Sequence, residues 1–494
     1  MIRKTSPDEI QNYLSDAANI KGHCDAVCLP ESAEEISRIL SEAYQSDTPV
    51  TIAGNGTGLT GARVPMGGIV VSTEKLNRIL EINKEEKYIL AEPAVLLNDL
   101  QEEVESRGLF YPPDPTERGC FIGATAATNS SGARTFKYGP TRNFVQEIEV
   151  VLPDGELCLI KRGEVKAEGY DLTLRTLSGK TIDIKLPDYK MPATKNAAGY
   201  YCHPDMDAID LFIGSEGTLG VITRLKLKLL DLPENVLSSV IFFDEEEGAL
   251  EFIGRARELS YQARQSGADD AIDARGLEYF DSKSLRFLQE EFPQIPQKAQ
   301  AAVWFEQNIT ADTEETLFEK WFELITETGG DEESAWFASN SSDRERFKNF
   351  RHAVSAKVNE YISNNNITKV GTDIAVPDVR MKEFYYFLKE TAEASGINYL
   401  IYGHFGNSHY HMNMLPKDQE EHGRAKEMYL NICRKAVGMS GTISAEHGIG
   451  KLKRQYLLEM YGEDIIKKMA ALKLSLDPKG LLCRGNIFDE KYLG

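Results

Sequence analysis

Between residues 50 and 68 a short apolar segment, Val50–Ala53, runs into a loop with four glycines in eight positions, Gly54 to Gly61. Pro65 and then Gly67-Gly68 follow at once. This run constrains the fold more than any other. Gly56-Thr57-Gly58-Leu59-Thr60-Gly61 spells the Gly-x-Gly-x-x-Gly of a Rossmann turn. Such a turn needs a helix to begin at the loop, so that its N-terminus faces the pyrophosphate, and Pro65 with the paired glycines forbids that helix. The spacing Gly56-x4-Gly61 also mimics a phosphate-binding P-loop, but Ala62-Arg63 stands where Lys-Ser/Thr is required. Two readings remain: a strand-flanked loop that turns several backbone N–H groups on an anion, or a plain glycine-rich turn.

Around this loop the pattern is mixed. Residues 31–47 read as an amphipathic helix, with acid on the first turn and Ile36, Ile39 and Leu40 at helical spacing. Val50–Ala53, 68–72, 148–152 and 220–229 read as strands, and 97–107 as a second helix. Near Leu232-Pro233-Glu234 the texture changes to long acidic helices at 243–263 and 313–327, with strands at 301–305 and 369–376. The last forty residues read as helical until Asp477-Pro478. At 494 residues the chain exceeds one hydrophobic core. The expected division is 1–232, 233–455 and a C-terminal helical segment, 456–494, packing back on the first domain.

The formal charge of −21 argues against nucleic acid and anionic membrane as partners. No run reaches the length of a membrane span, and the first residues lack the apolar core of a signal peptide. The seven cysteines are scattered, so no iron–sulfur cluster is expected. A cytoplasmic, thiol-reduced protein, at most peripheral to a membrane, is the expectation.

Two further small-residue phrases fix the class. One is Tyr111-Pro112-Pro113-Asp114, Ile122–Arg134 and Lys137-Tyr138-Gly139-Pro140; the other is Ile213–Ile222, Ile-Gly-Ser-Glu-Gly-Thr-Leu-Gly-Val-Ile. Small residues recur where backbone must close on a flat ring or a pyrophosphate. Together with the first loop they resemble the FAD-binding domain of the vanillyl-alcohol oxidase (PCMH-type) superfamily. More narrowly they look like its D-2-hydroxy-acid dehydrogenase branch, over residues 25–490. The resemblance implies an α+β fold: a PCMH-type domain of two α/β subdomains and an α+β cap with an antiparallel sheet. It implies that Ala53, Gly54, Asn55, Gly56 and Thr57 hold the diphosphate of FAD. Pro113, Asp114, Gly123, Thr128, Gly132 and Gly139 would line the flavin, and Glu216, Gly217, Gly220 and Ile222 would close over it. Ala53 and Asn55 replace the Arg and middle Gly of the usual Arg-Gly-Gly-Gly-Thr, removing one basic group. The loop carries no histidine, so FAD is expected to be non-covalent. The segment 160–200 is longer and more polar than the usual link.

Five of the eight histidines lie between residues 404 and 447, in Gly403-His404-Phe405-Gly406-Asn407-Ser408-His409-Tyr410-His411-Met412-Asn413 and Glu446-His447-Gly448, with His422 between. On a strand His409, His411 and Asn413 share one face, and a turn at 406–408 can return His404 to it. Glu446 and His447, adjacent on an extended segment, would point apart. Two imidazoles and a carboxylate suit a divalent metal with open positions; surface histidines on an edge strand are the other reading. In the family, the matching phrases make His404, His411 and Glu446 ligands of a metal, zinc or manganese. His447 becomes the general base and Asn413 a substrate contact. His409 stands where the family has Asn, an extra or substitute ligand. Arg351 matches the helical arginine that clamps a carboxylate, with Lys369 as runner-up.

The implied reaction is oxidation of a D-2-hydroxy acid of the D-lactate type. The metal acidifies the α-hydroxyl, His447 takes its proton, and the α-hydrogen leaves as hydride to flavin N5. With no nicotinamide fingerprint, the electron acceptor is expected to be a cytochrome, quinone or electron-transfer flavoprotein. A homodimer is compatible with the sequence. The competing readings are a flavin subunit that only relays electrons, and a transferase of the alkylglycerone-phosphate synthase type.

Overall fold

The computed structural model describes residues 1–365, 367 and 369–494, and it divides into two compact units. The first comprises residues 1–131, 140–232 and 444–494; the second comprises 132–139 and 233–443. The chain leaves the second unit before the 455 boundary expected from the sequence, because residues 449–453 are tied into the first. Glu216 accepts hydrogen bonds from the backbone N–H groups of Ile449 and Gly450, both at 2.6 Å, and Lys451 N donates to Thr60 O at 2.8 Å.

The first unit holds two α/β layers, as the resemblance implies. In one, Ala26–Leu29, Ile69–Ser72 and Val50–Ala53 pair in parallel, and Ile2–Lys4 closes the edge antiparallel. The helix Ala33–Gln45 covers this sheet. Ser32 caps it through Glu35 N, and Ile36, Ile39, Leu40 and Ala43 go into the core with Val71 and Leu482. In the other layer five antiparallel strands run in the order Ile79–Asn83, Tyr88–Ala91, Val221–Lys228, Val145–Val151, Leu157–Lys161. The polar stretch 160–200 supplies a hairpin, Asp171–Arg175 with Thr181–Lys185, whose buried residues alternate with exposed ones. It packs on the C-terminal helix Arg454–Leu476.

The second unit is an eight-stranded antiparallel sheet. Its main path runs Trp336–Phe337, Asn235–Phe243, Ala301–Ile309, Ala274–Asp281, Asn398–Gly403, His409–Leu415, Val370–Gly371, and Ile374–Ala375 adds to His409–Leu415. The expected strand over 369–376 is thus two short ones, interrupted at Thr372-Asp373. The helix Ser341–Asn364 buries Phe347, Phe350, Val354 and Val358 against Phe280, Trp304 and Tyr402 of the sheet. No helix among the described residues is long and apolar enough to cross a membrane.

Candidate functional site

In the first unit, a cleft opens at the ends of the parallel strands and the glycine loop. Ala53 to Gly58, Ala62, Arg63, Gly123, Thr128, Glu216, Gly217, Gly220 and Ile222 line it. The sequence therefore brought most of its proposed cofactor residues to one cavity. Pro113, Asp114, Gly132 and Gly139 lie outside it. Asp114 is buried beside Arg118, 3.5 Å away, while Gly132 and Gly139 bracket the short helix Thr135–Tyr138 that folds with the second unit.

The cleft fits a dinucleotide because it is built where side chains cannot be. A Cβ on Gly54 would lie 3.0 Å from Ala124, and one on Gly123 only 2.4 Å from Pro93. Gly56 has φ +83°, the left-handed region that favours glycine, and its Cα side faces the Arg63 guanidinium. Arg63 donates to Gly54 O at 2.8 Å and to Asn12 O at 2.5 Å, so a cation lies under the loop although position 53 is alanine. The sequence reading missed Arg63; its proximity to the glycines was the available signal. Glu216 lines the cleft, but its carboxylate turns to the Ile449 and Gly450 backbone, and burial raises its pKa.

Also in the first unit, Glu446 Oε2 receives Lys195 Nζ at 2.7 Å and Ser131 Oγ at 3.2 Å. Its other oxygen, Oε1, lies 3.6 Å from His447 Nε2. The two neighbours do not point apart as expected, because the chain bends through residues 445–447 instead of running extended. Lys195, nearly buried at 4% side-chain exposure, is what the polar 160–200 stretch delivers here, and sequence reasoning did not single it out.

In the second unit one face of the sheet carries a band of buried polar side chains. Registers set the band: Glu278 lies opposite Trp304, Phe280 opposite Tyr402, Tyr402 opposite His411, and Leu400 opposite Asn413. His409, His411 and Asn413 share this face, with Tyr410, Met412 and Met414 on the other. The 3-10 turn Phe405–Asn407, with Ser408 at φ 49°, swings His404 back, so that its Nδ1 meets both oxygens of Glu278 at 2.8 Å. His409 Nε2 lies 2.9 Å from Asp373 Oδ1. The helix Ser341–Asn364 crosses the band. It sets the Arg351 guanidinium 5.3 Å from the Trp304 ring centre and against His352 Nε2, and Ser355 Oγ 3.0 Å from Tyr402 Oη.

Asn413 Nδ2 donates to Tyr402 Oη at 2.9 Å, while Asn413 Oδ1 is buried without a hydrogen-bond partner among the described residues. Gly371 sits beside it because nothing larger fits: a Cβ there would be 2.6 Å from Asn413 Oδ1 and 3.5 Å from Lys369 Cε. Lys369 thus ends near Asn413, with Nζ 3.2 Å from Asn359 Oδ1, and its loss of hydration pushes its pKa down to about 8. The structure therefore places His404, His411, Asn413, Arg351 and Lys369 in the second unit, and Glu446 and His447 in the first.

A family model for an FAD binding domain matches residues 24–160, and one for the C-terminal domain of FAD linked oxidases matches residues 211–487. The glycolate oxidase subunit GlcD of Bacillus subtilis (strain 168) is 30% identical, over 94% of this chain and 89% of its own. A D-lactate dehydrogenase of Anaerostipes hadrus is 29% identical, over 97% of this chain and 93% of its own. Among solved structures, 4-ethylphenol oxidase from Gulosibacter chungangensis shares the fold with a TM-score of 0.70 at 18% identity, covering 99% of this chain and 95% of that one.

Proposed function

The chain belongs to the FAD-linked oxidases and is related to their D-2-hydroxy-acid dehydrogenase branch, and from that membership we propose that it oxidises a D-2-hydroxy acid of lactate type to the 2-oxo acid. The electrons pass to an acceptor other than nicotinamide. One observation supports this most: Asn413 Oδ1, a buried acceptor without a hydrogen-bond partner among the described residues, on the face that also carries His411 and, close by, Lys369. Leaving such an acceptor unsatisfied costs about 1–3 kcal/mol. A hydroxyl proton of a bound substrate satisfies it.

The roles follow from the side chains present. Arg351, its guanidinium 5.3 Å from the Trp304 ring centre, offers a fork of donors to the carboxylate. Lys369, with its lowered pKa, adds a second donor at the Asn413 end. His447 takes the α-hydroxyl proton, a task suited to an imidazole near neutral pH. The FAD cleft is the one built around Gly54 to Gly58, and His404, His411 and Glu446 are the proposed ligands of a zinc or manganese ion. When bound, FAD supplies a two-electron sink and the ion lowers the pKa of a hydroxyl it touches. FAD is non-covalent in this reading, because the diphosphate loop has no histidine.

The test is steady-state turnover across paired D- and L-2-hydroxy acids with an artificial dye as acceptor. Reduction with short D-acids, at least tenfold over their L-forms, is the expected result. Turnover with none of the D-acids would remove the proposal.

A further inference from the structure

The metal assignment above leaves one imidazole of the band without a task. His409 and Asp373 are both completely buried, with His409 Nε2 2.9 Å from Asp373 Oδ1. A carboxylate only accepts, so this ring donates from Nε2, and in its neutral form the lone pair lies on Nδ1. His404 is the converse case: Nδ1 donates to Glu278, which leaves the lone pair on Nε2. His411 sets Nδ1 3.3 Å from Thr372 O, again an acceptor, and so carries its lone pair on Nε2. Each ring is fixed by an acceptor at one nitrogen. That is the second-shell arrangement by which proteins orient metal-bound imidazoles and set their tautomers.

The spacing agrees. Ring nitrogens of the three histidines lie within 4.8 Å of one another. The ring centres are 5.1 Å apart for His404 and His409, 5.3 Å for His404 and His411, and 4.4 Å for His409 and His411. Two imidazoles bound to one tetrahedral ion through nitrogens at about 2.0–2.1 Å have their centres about 5 Å apart. A purely structural His–Asp pair explains the contact between His409 and Asp373. It does not explain why a third ring is packed at ligand spacing against the two expected ligands.

We propose that His409 Nδ1 is a third imidazole ligand of the metal, beside His404 and His411, and that Asp373 is the residue that positions it. The proposal rests on the metal reading of the preceding section and extends it. Three neutral nitrogen donors from one unit, with a carboxylate behind two of them, favour a borderline ion such as zinc over magnesium or calcium, which select oxygen.

The experiment uses the full-length flavin holoprotein, stripped of metal with a chelator and reloaded with Mn²⁺ alone. Electron spin-echo modulation counts the imidazole nitrogens coupled to the ion, and a titration gives the Mn²⁺ affinity. Three coupled nitrogens in the unaltered protein and two in His409→Asn, with weaker binding, are expected. Asp373→Asn should keep three and lower the affinity about 10–100-fold, the usual effect of losing such a partner. Two nitrogens in both the unaltered protein and His409→Asn, at equal affinity, overturns the proposal and leaves the metal reading standing. No Mn²⁺ uptake by the unaltered protein, nor by a Zn²⁺ competition assay on it, removes both. Should His409→Asn lose its flavin absorbance and fail to fold, the nitrogen count of the unaltered protein alone decides.

Discussion

Glu446 is held from three sides within its own unit: Lys195 and Ser131 at one oxygen, His447 near the other. The bend at 445–447 makes the choice for His447 concrete, since it can act as a base or orient Glu446. As a base, His447→Ala should keep FAD and metal and slow flavin reduction by ~10²–10⁴-fold. Anaerobic stopped-flow reduction, with metal measured on the same sample, separates the two, because an orienting role would lose metal in step with rate. At this scale the sequence showed the polar side chains of the band better than their partners. His409, His411 and Asn413 were legible because a strand has period two. Glu278 and Asp373 were not, because cross-strand pairing brings them from distant positions and leaves no local pattern. Lys195 in a polar stretch reads as solvated until the returning chain buries it.

Elements with caps and strong periodicity were the legible ones. Ser32 and the Ile36, Ile39, Leu40 stripe define the helix Ala33–Gln45 almost where the sequence put it. The strand expected over 369–376 breaks because the Thr372 hydroxyl stands in for its backbone, accepting from Met412 N and donating to Tyr410 O, while Asp373 turns to His409. Gly371 and Asp373, residue types depleted in strands, were the available signal of that break. Asp281 gives an element-scale prediction. It caps the helix Ser282–Leu288, accepting from Ser284 N at 2.7 Å, and burial pushes its carboxyl up to about 6. A raised folded pKa means that the folded state holds the proton longer. The stability it contributes is complete below the ordinary carboxylate pKa and is lost as pH rises through about 6. Asp281→Asn keeps an acceptor for the cap and removes the titration. From pH 4 to pH 7 the unaltered protein should therefore lose stability relative to the variant, at no more than about 1.4 kcal/mol per pH unit. Parallel melting temperatures across that range would show that Asp281 does not carry the linkage.

For the whole molecule, the cleft and the imidazole band are built from different sets of side chains. Every residue lining the dinucleotide cleft belongs to the first unit, whereas the imidazole band belongs to the second. Backbone closure at Gly54 and Gly123 and the Arg63 cation shape the cleft; Glu278, Asp373 and Thr372 fix the rings of the band. His411→Ala removes a ring from the band of the second unit, and no residue lining the cleft is altered. It should lose metal and turnover while its flavin absorbance per chain stays that of the unaltered protein. Acid precipitation of either protein should then release the yellow colour into the supernatant, since no side chain of the loop can bond the ring. Elemental analysis and absorbance on one preparation read metal and flavin together. If flavin falls together with metal in His411→Ala, the two are not independently held. Colour that stays in the pellet would show a covalent tether outside the glycine loop.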